Sequence, residues 1–249
     1  MEFGKLLRAT LVTRPNRFLA LVHTPQGTLR AACRDPGRLE QLLVPGAELR
    51  LRRAPPSPSR RTAYDLVLAR QGRTWVSLMP ALANAVFAAA LARGHVAGLR
   101  GARVVAREVR QGRSRLDFVL AQRGRRVWTE VKSVGLVRAG VALFPDAPTA
   151  RGARHLRELL ALAQAGQRAQ VVFIVQRGDA HSFAPFAARD PEFTRALVEA
   201  VRGGVRLRAY ACRVGPTGCT LVRRLPVRLP RAPGYDRRPG PGRSARGER

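Results

Sequence analysis

The stretch VWTEVKSV, residues 127 to 134, holds Lys132, one of only two lysines in a chain with 46 basic side chains; the other is Lys5, and the rest are arginine. Lys132 follows Glu130 by two positions, so in an extended strand both side chains project from one face. Just upstream lies SRLDFVLA, residues 114 to 121, also strand-like, with AQRGRR (121–126) at the join. A two-residue turn at Arg123-Gly124 sets Gln122 across from Arg125 and Ala121 across from Arg126. Counting back, Asp117 faces Glu130 directly, about 5 Å away on the same face. Leu116, Phe118 and Leu120 then point the other way.

Two carboxylates so placed repel, and an uncompensated pair is destabilising. A hard divalent cation relieves the repulsion. Mg²⁺ binds through one or two carboxylates plus water and substrate phosphate, and Mn²⁺ accepts similar oxygen ligands. Lys132 beside the pair completes a unit suited to phosphodiester hydrolysis: the metal acidifies a bound water and the ammonium counters charge on the phosphate. Arginine does not replace it there, because its guanidinium is forked and always protonated, whereas the ammonium is a compact point charge. The bland alternative is a surface cross-strand salt bridge between Lys132 and one of the acids.

The elements around this constellation divide the chain. Residues 1–79 read as short, partly alternating strands: LLRATLVTR, RFLALVHT, GTLRAACR, ELRLRRA, AYDLVLAR and TWVSLM. Proline and glycine punctuate them, as in RAPPSPSRR (53–61), which predicts about five strands in a small barrel. Residues 80–229 change character. LANAVFAAALARG (82–94) reads as a helix stopped at Gly94, followed by strands over 102–109, 114–121 and 126–134. A second helix spans 149–166, with Leu156, Leu159, Leu160 and Ala163 as its apolar stripe. AQVVFIVQ (169–176) reads as a strand buried on both faces. A last helix (191–204) and two closing strands follow. The order αβββαβ predicts an α/β sheet domain, making the whole chain α+β. From 230 to 249 the sequence is Pro, Gly and Arg with almost nothing apolar, and reads as a disordered basic tail.

The formal net charge is +30, with only 16 acidic residues. Coding bias toward arginine explains the choice of cation but not the shortage of acids, so the charge implies a polyanionic partner: nucleic acid, DNA first and RNA second. No apolar run approaches the ~20 residues of a membrane helix, so no membrane partner is expected. Three scattered cysteines, Cys33, Cys212 and Cys219, suggest reduced thiols, and with no leader pattern at the start a cytoplasmic protein is expected.

Asp117 followed by Glu130-Val131-Lys132, in an αβββαβ context, resembles the PD-(D/E)xK nuclease superfamily. The chain is more closely similar to the sugar fermentation stimulation protein A family, through NRFLALV, SRLDF, EVKSV, GVALFPDAPTARGARHLREL, FIVQRGDAHSFAP and LPVRL. That resemblance implies an OB-like barrel joined to a nuclease-fold domain, DNA binding, and a link to control of sugar (maltose) utilisation genes. It implies Asp117 and Glu130 as metal ligands and Lys132 as catalytic lysine. Glu108 on the preceding strand is either a third metal acid or half of a strand-end salt bridge. Asp146, in the FPDA stretch, either caps a loop or supports the site. The chain departs from the family at Cys33-Arg34-Asp35-Pro36-Gly37, where the family has Cys-Pro-Asn-Thr-Gly, and at Met79-Pro80, where it has Asn-Thr.

Further candidates lie near these. Arg115 adjoins the Asp117 strand position. Arg151, His155 and Glu158 share a helix face, and His155 is a candidate contact to phosphate or a metal-bound water. Gln176 and Arg177 end the buried strand, where ligands gather in open α/β sheets. Phe18, Tyr64 and Trp75 of the barrel are expected mainly to pack its core, although aromatics on such barrels also stack bases. Two functions follow: a Mg²⁺-dependent nuclease using Asp117, Glu130 and Lys132, or a DNA-binding regulator of sugar fermentation genes whose nuclease fold does not cut. An RNA accessory role rests on charge and barrel alone.

Overall fold

The computed structural model describes residues 1–58 and 60–230. The tail expected beyond Pro230 lies outside the described residues. In the barrel, β1 (Leu7–Asn16), β2 (Leu19–Thr24), β3 (Gly27–Ala32), β4 (Glu48–Arg53), β5 (Tyr64–Gln71) and β6 (Thr74–Ser77) form one sheet ordered β3-β2-β1-β4-β5-β6. It closes where β3 meets β5 in parallel, Ala31 beside Tyr64 and Ala32 beside Asp65. Alternation drives the closure: Ala9 and Leu11 of β1 face inward onto Val22, Leu49 and Leu66, while Arg8, Thr10 and Val12 face out. The five strands β1–β5 make the closed OB barrel, and β6 extends it.

The second domain runs α1 (Leu82–Ala92), β7 (Arg103–Gln111), β8 (Ser114–Gln122), β9 (Arg125–Val134), β10 (Leu136–Arg138), β11 (Val141–Phe144), α2 (Ala150–Gln164), β12 (Arg168–Val175), β13 (Ser182–Pro185), α3 (Pro191–Arg202), β14 (Arg206–Gly215) and β15 (Gly218–Leu225). Its main sheet is ordered β15-β14-β12-β9-β8-β7, with β12 parallel to both neighbours. β12 is buried from Ala169 to Val175; the apolar run Val171–Val175 requires this, and the buried Gln170 is bonded to Thr129 and Arg208. On one face α1 packs Phe87 against Phe118. On the other, Leu156 and Leu159 of α2 and Phe193 of α3 cover Phe173. α1 is apolar nearly all round because it sits between this sheet and the barrel. Gly94 (φ 69) ends it with two closing bonds, Gly94 N–H to the Leu91 carbonyl and His95 N–H to that of Ala90. Asp190 ties the other two helix starts together, capping α3 through Phe193 N–H and accepting the N–H of Thr149, itself the cap of α2.

The expected αβββαβ order is present, and β10, β11 and β13 add a three-stranded sheet that the sequence reading omits. Its hairpin turns on Ala139-Gly140, both at positive φ (45° and 74°). The expected boundary at 79/80 is a seam, not a hinge. Val67 and Leu68 of the barrel belong to the α1-side core, and Ser77 N–H donates to the Gln176 carbonyl. The first residues cross over too: Phe3 packs in the α1-side core, and Cys219 N–H donates to the Met1 carbonyl. No helix among the described residues is long and apolar enough to cross a membrane. All three cysteines are free and buried.

Candidate active site

β8 and β9 pair in the register the turn predicts, from Gln122–Arg125 back to Phe118–Thr129. There the ladder stops. One step on, where Asp117 faces Glu130, the Asp117 Oδ2 accepts the backbone N–H of Val131 at 2.8 Å, and Oδ1 accepts from Asn84 Nδ2 of α1 at 2.7 Å. The carboxylate therefore takes the place of a ladder carbonyl, in the plane of the sheet. The alternation expected around it breaks: Phe118 and Leu120 point into the α1-side core, but Leu116 points into the α2-side core. β7 is distorted opposite. Between the pairs Arg107–Phe118 and Val109–Leu116 stands Glu108 with φ 50, a left-handed backbone that costs a non-glycine residue about 1–2 kcal/mol.

Glu130 projects toward α2. Its Oε1 accepts from Lys132 Nζ at 2.6 Å and from His155 Nδ1 at 2.5 Å. The ion pair is no surface bridge, since the Lys132 and Glu130 side chains are 13% and 4% exposed. Arg151 Nε donates to His155 Nε2 at 3.3 Å. That fixes Nε2 as an acceptor, so Nδ1 carries the proton that faces Glu130. The other carboxylate oxygen, Glu130 Oε2, is buried without a hydrogen-bond partner.

The two acids titrate apart. Burial, then the charge of Glu130, pushes Asp117 above the ordinary aspartate range, against the opposing bonds from Val131 and Asn84 and the charge of Lys132. Burial pushes Glu130 up as well, but the His155 bond and Lys132 outweigh it, and Glu130 ends below its ordinary value. A cation beside them fits this donor set. It would satisfy the orphaned Oε2 and favour the charged form of Asp117, whose oxygens keep free lone pairs. Among the described residues, no three His, Cys, Asp or Glu side chains gather as a metal cluster. The fitting set is thus the carboxylate pair Asp117 and Glu130.

Two cavities of about 470 Å³ each meet here, and Asp117 and Arg151 line both. One is walled by Arg113, Arg115 and Arg154 as well as Glu108 and His155. Glu108 is at its rim, paired with Arg115 at 2.9 Å, both about two-thirds exposed. The other cavity runs past Glu130 and Lys132 to the barrel loop at Asp35 and Gly37, with Arg17 and Asp146 on its wall. Asp146 accepts Leu39 N–H at 2.9 Å and so holds that loop. A Cβ on Gly37 would come within 2.9 Å of both Asp35 and Asp146 oxygens, so any side chain there would push these carboxylates aside. Burial, and to a lesser degree the Asp146 charge, raises the Asp35 carboxyl.

Gln176 and Arg177 are not brought to the cleft. Gln176 donates to Ser133 Oγ and the Met79 carbonyl; Arg177 is bound to Asp179, the Gly135 carbonyl and Gln71 of the barrel. Their donors are taken up in the domain seam, which corrects the expectation that they meet phosphate. Glu158 lies on α2 beside Gly112, and the polar contacts of His155 are with Arg151 and Glu130 instead. Tyr64 and Trp75 pack as expected, Trp75 beneath Arg50. Phe18 does not: it is 62% exposed. Asn84 was missed, although it is the one polar residue within the apolar run 81–92.

Fold and site together define a protein in which a closed OB barrel is welded to an α/β sheet domain bearing an acid, acid, lysine set on adjacent central strands. Residues 12–78 match the family pattern described as "SfsA N-terminal OB domain", and residues 81–218 the one described as "Sugar fermentation stimulation protein RE domain". The chain belongs to the sugar fermentation stimulation protein family. It is 50% identical over 227 residues to a homolog from Moorella thermoacetica, covering 91% of this chain and 98% of that one. A homolog from Methanothermobacter thermautotrophicus is 39% identical, covering 90% and 94%. The solved structure of Pyrococcus furiosus SfsA in complex with Ca²⁺ superposes with a TM-score of 0.84 at 30% identity, covering 92% of this chain and 98% of that one.

Proposed function

We propose that this protein is a Mg²⁺-dependent nuclease, with DNA as the first substrate class and RNA as the second, and with Mn²⁺ able to replace Mg²⁺. The observation that carries the reading is the buried, partnerless Oε2 of Glu130 beside an Asp117 held toward its protonated form. A pure binding surface has no use for two facing acids, which repel phosphate unless a cation lies between them. The Pyrococcus relative was solved with Ca²⁺, a hard cation of the same ligand preference.

When bound, a divalent cation supplies a water of lowered pKa and neutralises charge on the phosphate. Asp117 and Glu130 would hold it. Lys132 keeps one N–H on Glu130 and has two more to offer the scissile phosphate. His155 is a positioning residue: through Nδ1 it fixes the Glu130 carboxylate, while Arg151 fixes the ring. Arg113, Arg115 and Arg154 line the approach as phosphate contacts.

The test is cleavage of labelled single- and double-stranded DNA and RNA in Mg²⁺, Mn²⁺ or EDTA. Metal-dependent cutting lost by Glu130→Ala and Lys132→Ala, with binding retained, is the expected result. Tight, salt-sensitive binding with no cutting by the wild type refutes it. That outcome favours the second reading, a non-cleaving regulator of sugar fermentation genes, which the net charge of +30 and the relatives' name support.

A further inference from the structure

The exposed Phe18 sits at the turn between β1 and β2, held by the bond from its own N–H to Asn16 Oδ1 at 2.9 Å. It opens onto a groove of about 560 Å³ that also takes in Arg30, Arg34, Arg60 and Arg61. The buried Asp65 grips Arg60 at 2.7 Å and Arg34 at 3.2 Å, so these two guanidinium groups are fixed in place. Arg30 and Arg61 are exposed and have no acidic partner among the described residues. Four cations against one carboxylate leave the groove strongly positive around a bare aromatic ring. Its walls are the β1–β2 turn, strand β3 and the β4–β5 loop, the surface on which OB barrels hold oligomers.

Arg17, next to Phe18, lines the cleft that contains Asp117, Glu130 and Lys132. Arg14 locks this junction, donating to the carbonyls of Arg17 at 2.9 Å and Gly37 at 3.1 Å. Groove and cleft are therefore neighbouring parts of one surface. Within a duplex both faces of each base are already stacked, so a lone ring finds a partner only in an unpaired base.

We infer that this groove binds a single strand of nucleic acid, with an unpaired base stacked on Phe18 and its phosphates on the surrounding arginines. The strand then passes Arg17 into the cleft. The passage into the cleft, though not the binding itself, rests on the nuclease reading.

Fluorescence anisotropy in EDTA tests this, with a labelled oligo-dT strand and a long, blunt, loop-free duplex as probes. Phe18→Ala weakens oligo-dT binding about 5- to 150-fold, the range for losing one base–aromatic stack, and changes duplex affinity less than twofold. Phe18→Tyr restores the single-strand affinity. Phe18 is exposed, so its truncation leaves no core void, and an unchanged melting temperature verifies that. Unaltered oligo-dT binding by Phe18→Ala, or equal loss on both probes, overturns the inference. Glu130→Gln separates the two readings, since it keeps oligo-dT affinity while losing cleavage. A wild type that never cuts but shows the Phe18 effect refutes the nuclease alone.

Discussion

Glu130→Gln isolates the charge of one carboxylate from its place in the packing. The amide oxygen can accept the bonds from Lys132 and His155 where Oε1 now does, at 2.6 and 2.5 Å. The orphaned position stays unsatisfied in both proteins, so it cancels. What is lost is the charge assistance of the Lys132 bond, the difference between about 1.5–3 kcal/mol and about 1 kcal/mol for a neutral bond. Relief of the repulsion with Asp117 offsets part of this. The expected destabilisation is therefore roughly 0.5–2 kcal/mol, a few degrees in Tm for a chain of this size. Glu130→Ala differs, because it strands a lysine that is 13% exposed and a histidine that is 2% exposed. Breaking such a buried pair costs about 3–5 kcal/mol. Both variants should lose metal-dependent cleavage by about 100-fold or more, the scale for removing one preorganised electrostatic group. Urea denaturation and single-turnover cleavage of labelled DNA read the two effects. A glutamine variant that cuts within tenfold of wild type would show that Glu130 only anchors Lys132. An alanine variant as stable as glutamine would refute the buried-pair account.

The pH dependence follows from the opposite shifts of the two acids. Asp117 must be ionised to hold a cation, so on the nuclease reading cleavage at limiting Mg²⁺ should fall off as pH drops through a value above the ordinary aspartate range. Asn84→Leu removes a bond that favours the charged form, and should move that fall-off to still higher pH. For stability the sign reverses between the pair: the Glu130 contribution is present above its ordinary pKa and disappears as pH falls through the depressed folded value, a dependence that Glu130→Gln abolishes in acid denaturation. His155→Leu should lower kcat about tenfold or more and cut Mg²⁺ affinity by 10- to 100-fold, as loss of an orienting partner does, seen in a metal titration of cleavage. Arg177→Met should destabilise by about 2–3 kcal/mol in urea, with no specific loss of oligo-dT affinity, because its donors are spent on Asp179, Gly135 and Gln71 and its own side chain lines neither cavity of the site.

The register of the site was legible because Arg123-Gly124 obeys local chemistry: both residues adopt positive φ, the requirement of a tight hairpin turn. The buried strand β12 and the helix stop at Gly94 were legible for similar reasons. The in-plane seat of Asp117 was not, since period-two alternation has no term for a side chain replacing a ladder carbonyl. Nor does periodicity show that Leu116 and Phe118 enter different cores. The small sheet of β10, β11 and β13 escaped because strands of three and four residues are too short for a pattern. Gln176 and Arg177 sit at a strand end, where a ligand is expected, but Ser133, Gly135 and Asp179 of the same domain, together with Met79 and Gln71 of the barrel, take up their donors. Residue type alone places Phe18 in a core, and its exposure depends on a turn only the folded chain reveals.

The seam between barrel and sheet, with Val67 and Leu68 in the neighbouring core and Arg177 reaching back to Gln71, leaves no joint about which the two halves swing. On the proposed reading the barrel would act as a ruler: the distance along a strand from a base seated at Phe18 to the bond beside Lys132 would be built into the protein, and would not depend on how tightly a jaw closes. Product lengths counted from that base would cluster at one value on any sequence.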